Sequence, residues 1–161
     1  MAQEKHRAMP TREELRIWRD YIETAEALRN RLEGRLQSES SLSSADYRVL
    51  LALGEADRKT LRSSALAALI GWERSRLSHH LGRMEKRGLI RRATCADDAH
   101  GVEVVLTDLG AERFRHGSVP HLRAVRELFV DALSPERLAQ VDAITTALRR
   151  RLDLGPEPSG R

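Results

Sequence analysis

Residues 72–88, WERSRLSHHLGRMEKRG, divide at helical spacing into one apolar stripe and one stripe of cationic and hydrogen-bonding groups. Leu77, Leu81 and Met84 recur at i, i+4 and i+7, the mark of a helix buried along that side. With Leu77 at zero and an advance of about 100° per residue, Ser75, His79 and Lys86 fall within roughly 20° of the opposite pole. Arg76 and Arg83 flank that line. Gly82 shares the outward side, where it costs helix stability but leaves the backbone bare for a close neighbour. A rigid helix presenting serine, arginine and histidine outward suits the major groove of duplex DNA.

The net charge of +4 is mild, but its distribution is uneven. Residues 58–92 hold ten cations (Arg58, Lys59, Arg62, Arg74, Arg76, Arg83, Lys86, Arg87, Arg91 and Arg92) against Glu73 and Glu85, a local +8. Residues 1–57 sum to −2, 93–108 to −4 and 109–161 to +2. A concentrated patch of this kind attracts phosphate by counterion release and predicts salt-sensitive binding. A solvated charged face would carry the same residues, and charge alone does not choose between them.

The 161 residues suit a single module with helical extensions. Six aromatic residues (Trp18, Tyr21, Tyr47, Trp72, Phe114 and Phe129) are too few for the stacking platforms that single-stranded nucleic acid requires. The lone Cys95 excludes an intrachain disulfide and a cysteine-based zinc site. The N-terminal MAQEKHRAMPTREE lacks the apolar core of a signal peptide, and no run approaches a membrane span, so a cytoplasmic protein without membrane contact is expected. Residues 1–10 and 155–161 read as loose tails.

Along the chain, residues 12–37 form a long helix with Leu15, Trp18, Ile22, Ala25, Leu28, Leu32 and Leu36 near heptad spacing, a seam that needs a partner. Ser43 and Asp46 make a capping box for a helix over 44–54 whose Tyr47, Leu50 and Leu51 face inward. Ser63 or Ser64 caps a short helix bearing Leu66, Leu69 and Ile70, which Gly71 ends. With the helix that follows, this makes a helix-turn-helix. Two β-prone runs, 89–94 and 102–107, then flank a polar tip containing Asp97, Asp98 and Gly101 and form a hairpin wing. Arg91 and Arg92 on its first strand are placed to meet phosphates. Thr107 caps a helix running to about residue 132 and bent by Pro120. Ser134 and Pro135 start a last helix carrying Leu138, Val141, Thr145, Leu148 and Leu152 in heptad order.

This order of elements over residues 12–153 resembles the MarR family of bacterial transcriptional regulators. The stretch WERSRLSHHLGRMEKRGLIRR is similar to that family's recognition helix and exit, and DDAHGVEVVLTDLG to its wing. The resemblance implies a mainly α fold with a small β wing. It places a winged helix-turn-helix DNA-binding region at 42–107 and dimerisation helices at 12–37 and 108–153, in one module of residues 1–161. It further implies a homodimeric repressor with two recognition helices in successive major grooves of a pseudo-palindromic double-stranded operator. Recognition-helix contacts fall on Arg74, Ser75, Arg76, Ser78, His79 and Arg83, and wing contacts on Arg91, Arg92 and Asp98. Ser63 and Ser64 complete the DNA-facing set together with Trp72, which either fills an apolar gap ahead of the helix or touches the DNA backbone with its indole edge. Arg76 either reads guanine through its paired donors or binds phosphate. His80, about 60° from Leu77, packs at the core edge.

The family's wing commonly reads Asp-x-Arg-Gly, whereas this chain has Asp98-Ala99-His100-Gly101. His100 is therefore a candidate for pH-dependent wing contact, or a tolerated substitution at the tip. Many members hold a small, often anionic aromatic effector between the winged helix and the dimer helices; Trp18, Tyr21, Tyr47 and His121 are the candidates here, although residues at such positions are more often core or seam. Cys95 lies on the wing, away from the first helix where thiol-sensing relatives carry theirs, and reads as inert. No cofactor, metal or catalytic residue is expected. His79 and His80 diverge by about 100°, His116 and His121 are five residues apart, and no nucleophile–base constellation is present. The rival class is an adaptor, or a DNA-binding protein without sequence preference, that uses the same winged helix.

Overall fold

The computed structural model describes residues 9–95 and 98–154, with the side chains of residues 95 and 98–100 outside that description. Its elements are α1 (Arg12–Ser40), α2 (Ser44–Glu55), β1 (Thr60–Arg62), α3 (Ser63–Ile70), α4 (Arg74–Lys86), β2 (Ile90–Cys95), β3 (Asp98–Leu106), α5 (Asp108–Val125) and α6 (Pro135–Arg151). The fold is mainly α with one small antiparallel sheet, in the winged helix-turn-helix arrangement. The chain divides into two compact units, residues 1–122 and 123–161.

In the first unit α1 starts from a capping box. Thr11 Oγ1 accepts from the Glu14 amide at 3.2 Å, and a Glu14 carboxylate oxygen accepts from the Thr11 amide at 2.6 Å. Leu36 is buried, while Ile17, Trp18, Tyr21 and Ile22 are exposed, leaving the heptad seam uncovered at its N-terminal half. The expected box of Ser43 and Asp46 starts α2, with both amide bonds at 3.0 Å. Asp46, Val49, Leu50 and Leu53 form its inward line. Leu51, expected inward, is exposed because it lies one residue, about 100°, off that line.

Arg58 and Lys59 take left-handed backbone, φ 51° and 54°, and turn the chain into β1. This short edge strand was not foreseen from the sequence; it pairs antiparallel with β3 (Leu61↔Val104), giving the sheet order β1-β3-β2. The strand also relocates the start of α3. Arg62, still extended, occupies the cap position without a side-chain capping bond, and neither Ser63 nor Ser64 caps the helix; they are its first two residues. Leu66, Ala67 and Ile70 are buried, whereas Leu69 points out. Gly71 closes the helix at φ 68°, a conformation that costs a side-chain-bearing residue more, and the Trp72 amide donates to the Ala67 carbonyl at 2.9 Å.

On α4 the stripe read from the sequence is the buried one: Leu77, Leu81 and Met84 are each at most 1% exposed, in one cluster with Leu89, Ile90, Val104 and Leu106. Burial of each such side chain contributes about 1.5–3 kcal/mol, enough to fix the rotation of the helix. The hairpin forms, but β3 starts at Asp98 instead of the expected 102, so Asp98 and Gly101, expected in the tip, belong to the strand, because the pairing continues past an irregularity in register between Thr94 and Cys95. Thr107 Oγ1 accepts from the Gly110 amide at 3.0 Å, capping α5, and donates to the Gly88 carbonyl at 2.6 Å. A Cβ at Gly110 would run into the Leu89 carbonyl oxygen, so α5 sits directly against the start of β2.

In the second unit the helical chain passes through a π turn, Arg126–Val130, close to the expected end at 132. Ser134 Oγ then accepts from the Arg137 amide at 3.3 Å, with Pro135 at the first helical position. No residue of α6 is buried, and Ile144, Leu148 and Leu152 are exposed.

Candidate nucleic-acid interface

The core dictates what α4 presents. With Leu77, Leu81 and Met84 inward, Arg74, Ser75, Arg76, Ser78, His79 and Arg83 are all exposed, as their spacing predicts. Ser64 at the start of α3 is also exposed, and Ser63 is half-buried. Trp72 is half-buried against the core, filling the gap ahead of α4. Its indole meets the His80 ring edge-on at 5.5 Å, and the Arg76 guanidinium lies over it at 4.3 Å.

Beneath this surface lies a polar cluster the sequence did not disclose. Asp46 is 1% exposed, and its Oδ2 accepts from the Ser43 amide at 3.0 Å and from Arg87 Nη1 at 2.7 Å. Arg87 Nη2 also donates to the Ser41 carbonyl at 3.0 Å, so this arginine links the α1–α2 junction to the end of α4. Asp46 Oδ1 stands 3.1 Å from His80 Nε2, and neither atom has a hydrogen-bond partner among the described residues. Burial pushes the Asp46 carboxyl up, but His80, Arg87 and the Ser43 amide together hold it well below the ordinary carboxylate range. His80 is buried at the core edge, as expected, and its Nδ1 lies 3.0 Å from Arg83 Nη2.

Not all ten cations of the patch face solvent alone. Arg87 is engaged by Asp46. Arg92, expected to meet phosphate, is clamped by Glu85: its amide donates to one carboxylate oxygen at 2.8 Å, and its Nε and Nη2 reach the other at 2.8 and 2.7 Å. These Arg92 donors hold the Glu85 carboxyl below its ordinary value. Arg91 is exposed and makes no ion pair among the described residues. The side chains of Asp98, His100 and Cys95 lie outside the described ones.

Of the four effector candidates, the structure brings two together. Tyr47 and His121 rings lie 4.6 Å apart, and Phe114 packs on Tyr47 at 5.1 Å. Trp18 and Tyr21 are exposed on α1. An open cleft of about 330 Å³ lies between Ser40–Leu42, Leu89 and Arg113, and none of the four lines it. No group of acidic, histidine or cysteine residues among the described ones could hold a metal ion. No helix among them is long and apolar enough to cross a membrane.

A MarR family model matches residues 40–99, from the end of α1 to the wing. The crystal structure of AbsC, a MarR family transcriptional regulator from Streptomyces coelicolor, is 35% identical, covers 91% of this chain and 99% of its own, and superposes with a TM-score of 0.84. The chain belongs to the MarR family. It is therefore a transcriptional regulator of winged-helix fold. A second MarR-family structure from the same organism, Sco3205 in complex with DNA, is 36% identical, covers 94% of this chain and 97% of its own, and has a TM-score of 0.84. The transcriptional repressor MprA of Escherichia coli (strain K12) is 28% identical over 107 residues, 66% of this chain but only 60% of MprA, so the chain matches less than two thirds of that relative's length.

Proposed function

We propose that this MarR-family regulator acts as a homodimer that binds a pseudo-palindromic site in double-stranded DNA and represses transcription from it. The observation that carries the reading is the outward face of α4, where Ser75, Arg76 and His79 are exposed on a helix whose rotation the core fixes. Major-groove readout requires donors of this kind on a rigid rod. Arg74, Ser78 and Arg83 on the same helix are exposed as well, as are Ser64 on α3 and Arg91 on β2. That Sco3205 was crystallised with DNA supports the same role for this close relative in sequence.

Dimerisation is supported by the exposed apolar residues of the terminal helices: Ile17, Trp18, Tyr21 and Ile22 on α1, and Ile144, Leu148 and Leu152 on α6. Such seams are covered in solution by a second copy. A small effector is the finer part of the proposal, with Tyr47 and His121 as the paired aromatic groups that would meet it and Trp18 and Tyr21 as the residues a partner helix would add.

Selection of bound genomic fragments, followed by titration of the best fragment and a random duplex at one salt concentration, tests the reading. A strong preference for a fragment with two half-sites about one helical turn apart supports it. Equal affinity for both duplexes would point to a binder without sequence preference, and no affinity for either would point to an adaptor.

A further inference from the structure

Arg83 is exposed on the recognition face, yet its guanidinium is tied back to a buried group. Its Nη2 lies 3.0 Å from His80 Nδ1. A guanidinium only donates, so Nδ1 accepts and the ring proton sits on Nε2, toward Asp46 Oδ1 at 3.1 Å. Asp46 is in turn fixed by the Ser43 amide and Arg87, and the Trp72 indole bounds the His80 ring from another side. One imidazole, facing a buried carboxylate at the start of α2, thus holds an exposed arginine of α4. For packing alone an aliphatic residue beside Leu77, Leu81 and Met84 would serve; what the imidazole adds is the acceptor for Arg83.

We propose that His80 is a positioning residue for DNA readout, holding the Arg83 guanidinium in one orientation and so contributing to site preference without touching DNA itself. The proposal rests on the DNA-binding reading above. A long, flexible arginine held by a rigid acceptor arrives at the duplex already oriented, whereas a released one meets correct and incorrect sites with equal ease.

The test separates the two ring nitrogens. His80→Asn places a carbonyl oxygen near the Nδ1 position and does not reach Asp46; His80→Gln reaches Asp46 and leaves no acceptor near Nδ1. Titrations against the selected fragment and a random duplex at fixed salt are expected to show His80→Asn close to wild type in preference and His80→Gln reduced about tenfold, the scale of one hydrogen bond to a charged group. In an Arg83→Ala background the two variants should have equal preference. Equal preferences of the two variants with Arg83 intact, or a loss for His80→Gln that persists in Arg83→Ala, would overturn the proposal, because a merely structural role does not depend on Arg83. Should His80→Asn unfold at the assay temperature, the imidazole ¹⁵N spectrum decides. Wild type should show the Nε2-protonated form and Arg83→Ala a mixture of tautomers, and identical spectra would overturn the assignment. Wild type that binds no duplex at all would instead remove the underlying reading.

Discussion

The guanidinium of Arg76 lies 4.3 Å from the centre of the Trp72 indole, so the central cation of the recognition face rests on an aromatic ring that the core holds in place. The two residues share one helical turn's distance in sequence, and the helix-turn-helix turn at Gly71 is what brings the ring beneath the arginine. Trp72→Leu keeps an apolar filling and removes the face. We expect a two- to fivefold loss of affinity for the selected fragment, corresponding to about 0.5–1 kcal/mol of cation–π stabilisation at an exposed site. Arg76→Ala should cost about 1–3 kcal/mol of discrimination at one base pair if the guanidinium reads a base. Fluorescence anisotropy on matched and singly mismatched duplexes measures both, and losses equal on every sequence would assign Arg76 to phosphate.

Asp46→Ala removes the acceptor that Arg87, the Ser43 amide and His80 converge upon. Breaking a buried pair from one side costs about 3–5 kcal/mol, and urea denaturation should show a loss of that order. The same carboxylate governs acid behaviour. Its folded pKa is depressed, so its contribution is complete above the unfolded value of about 3.9 and fades as pH falls below it. The wild type should lose stability in that acid range with a steeper slope than Asp46→Asn.

His121 acts in the same direction, but in a higher pH range. Burial beside Tyr47 lowers its pKa, so the fold favours the uncharged ring and the unfolded chain takes up a proton first. Stability contributed by this site is therefore full above the unfolded value of about 6.5 and falls as pH drops through it, levelling once the folded imidazole also protonates. Chemical denaturation at a series of pH values from neutral to mildly acidic should show a shallower decline for His121→Phe than for wild type. Parallel curves would mean that the ring is as accessible as in the unfolded chain.

Gly110→Ala should destabilise by about 1–3 kcal/mol, the usual cost of forcing an extra carbon into a packed contact. The added carbon meets the Leu89 carbonyl and crowds Leu106, both held by the sheet. A thermal melt within error of wild type would show that α5 can retreat from β2 without loss.

Trp18→Asp combined with Ile22→Asp places charge on the exposed seam of α1. Sedimentation should show a shift from dimer to monomer at concentrations where wild type is dimeric, with affinity for the paired half-sites falling in parallel. An unchanged oligomeric state would exclude this stretch from the interface.

Local signals were legible in the sequence. The Leu77, Leu81 and Met84 stripe, the Ser43–Asp46 box, the Gly71 turn and the Ser134–Pro135 start all depend on residues within a few positions of one another, where helical geometry leaves little choice. What escaped the reading is non-local. β1 is three residues long and lacks an alternating pattern of its own; it exists because β3 offers a free edge. That strand in turn displaced the cap expected of Ser63 or Ser64. Asp46 was recognised as a capping residue, but its bond to Arg87, 41 positions away, has no periodic signature. The exposed cations of α4 could be placed from sequence, whereas the engagement of Arg92 by Glu85 could not, since either residue alone reads as a solvated charge.

That clamp between Arg92 and Glu85 joins the base of the hairpin to the recognition helix by backbone and side chain at once. Separating the hairpin base from the rod consequently means breaking three donor contacts to one carboxylate together.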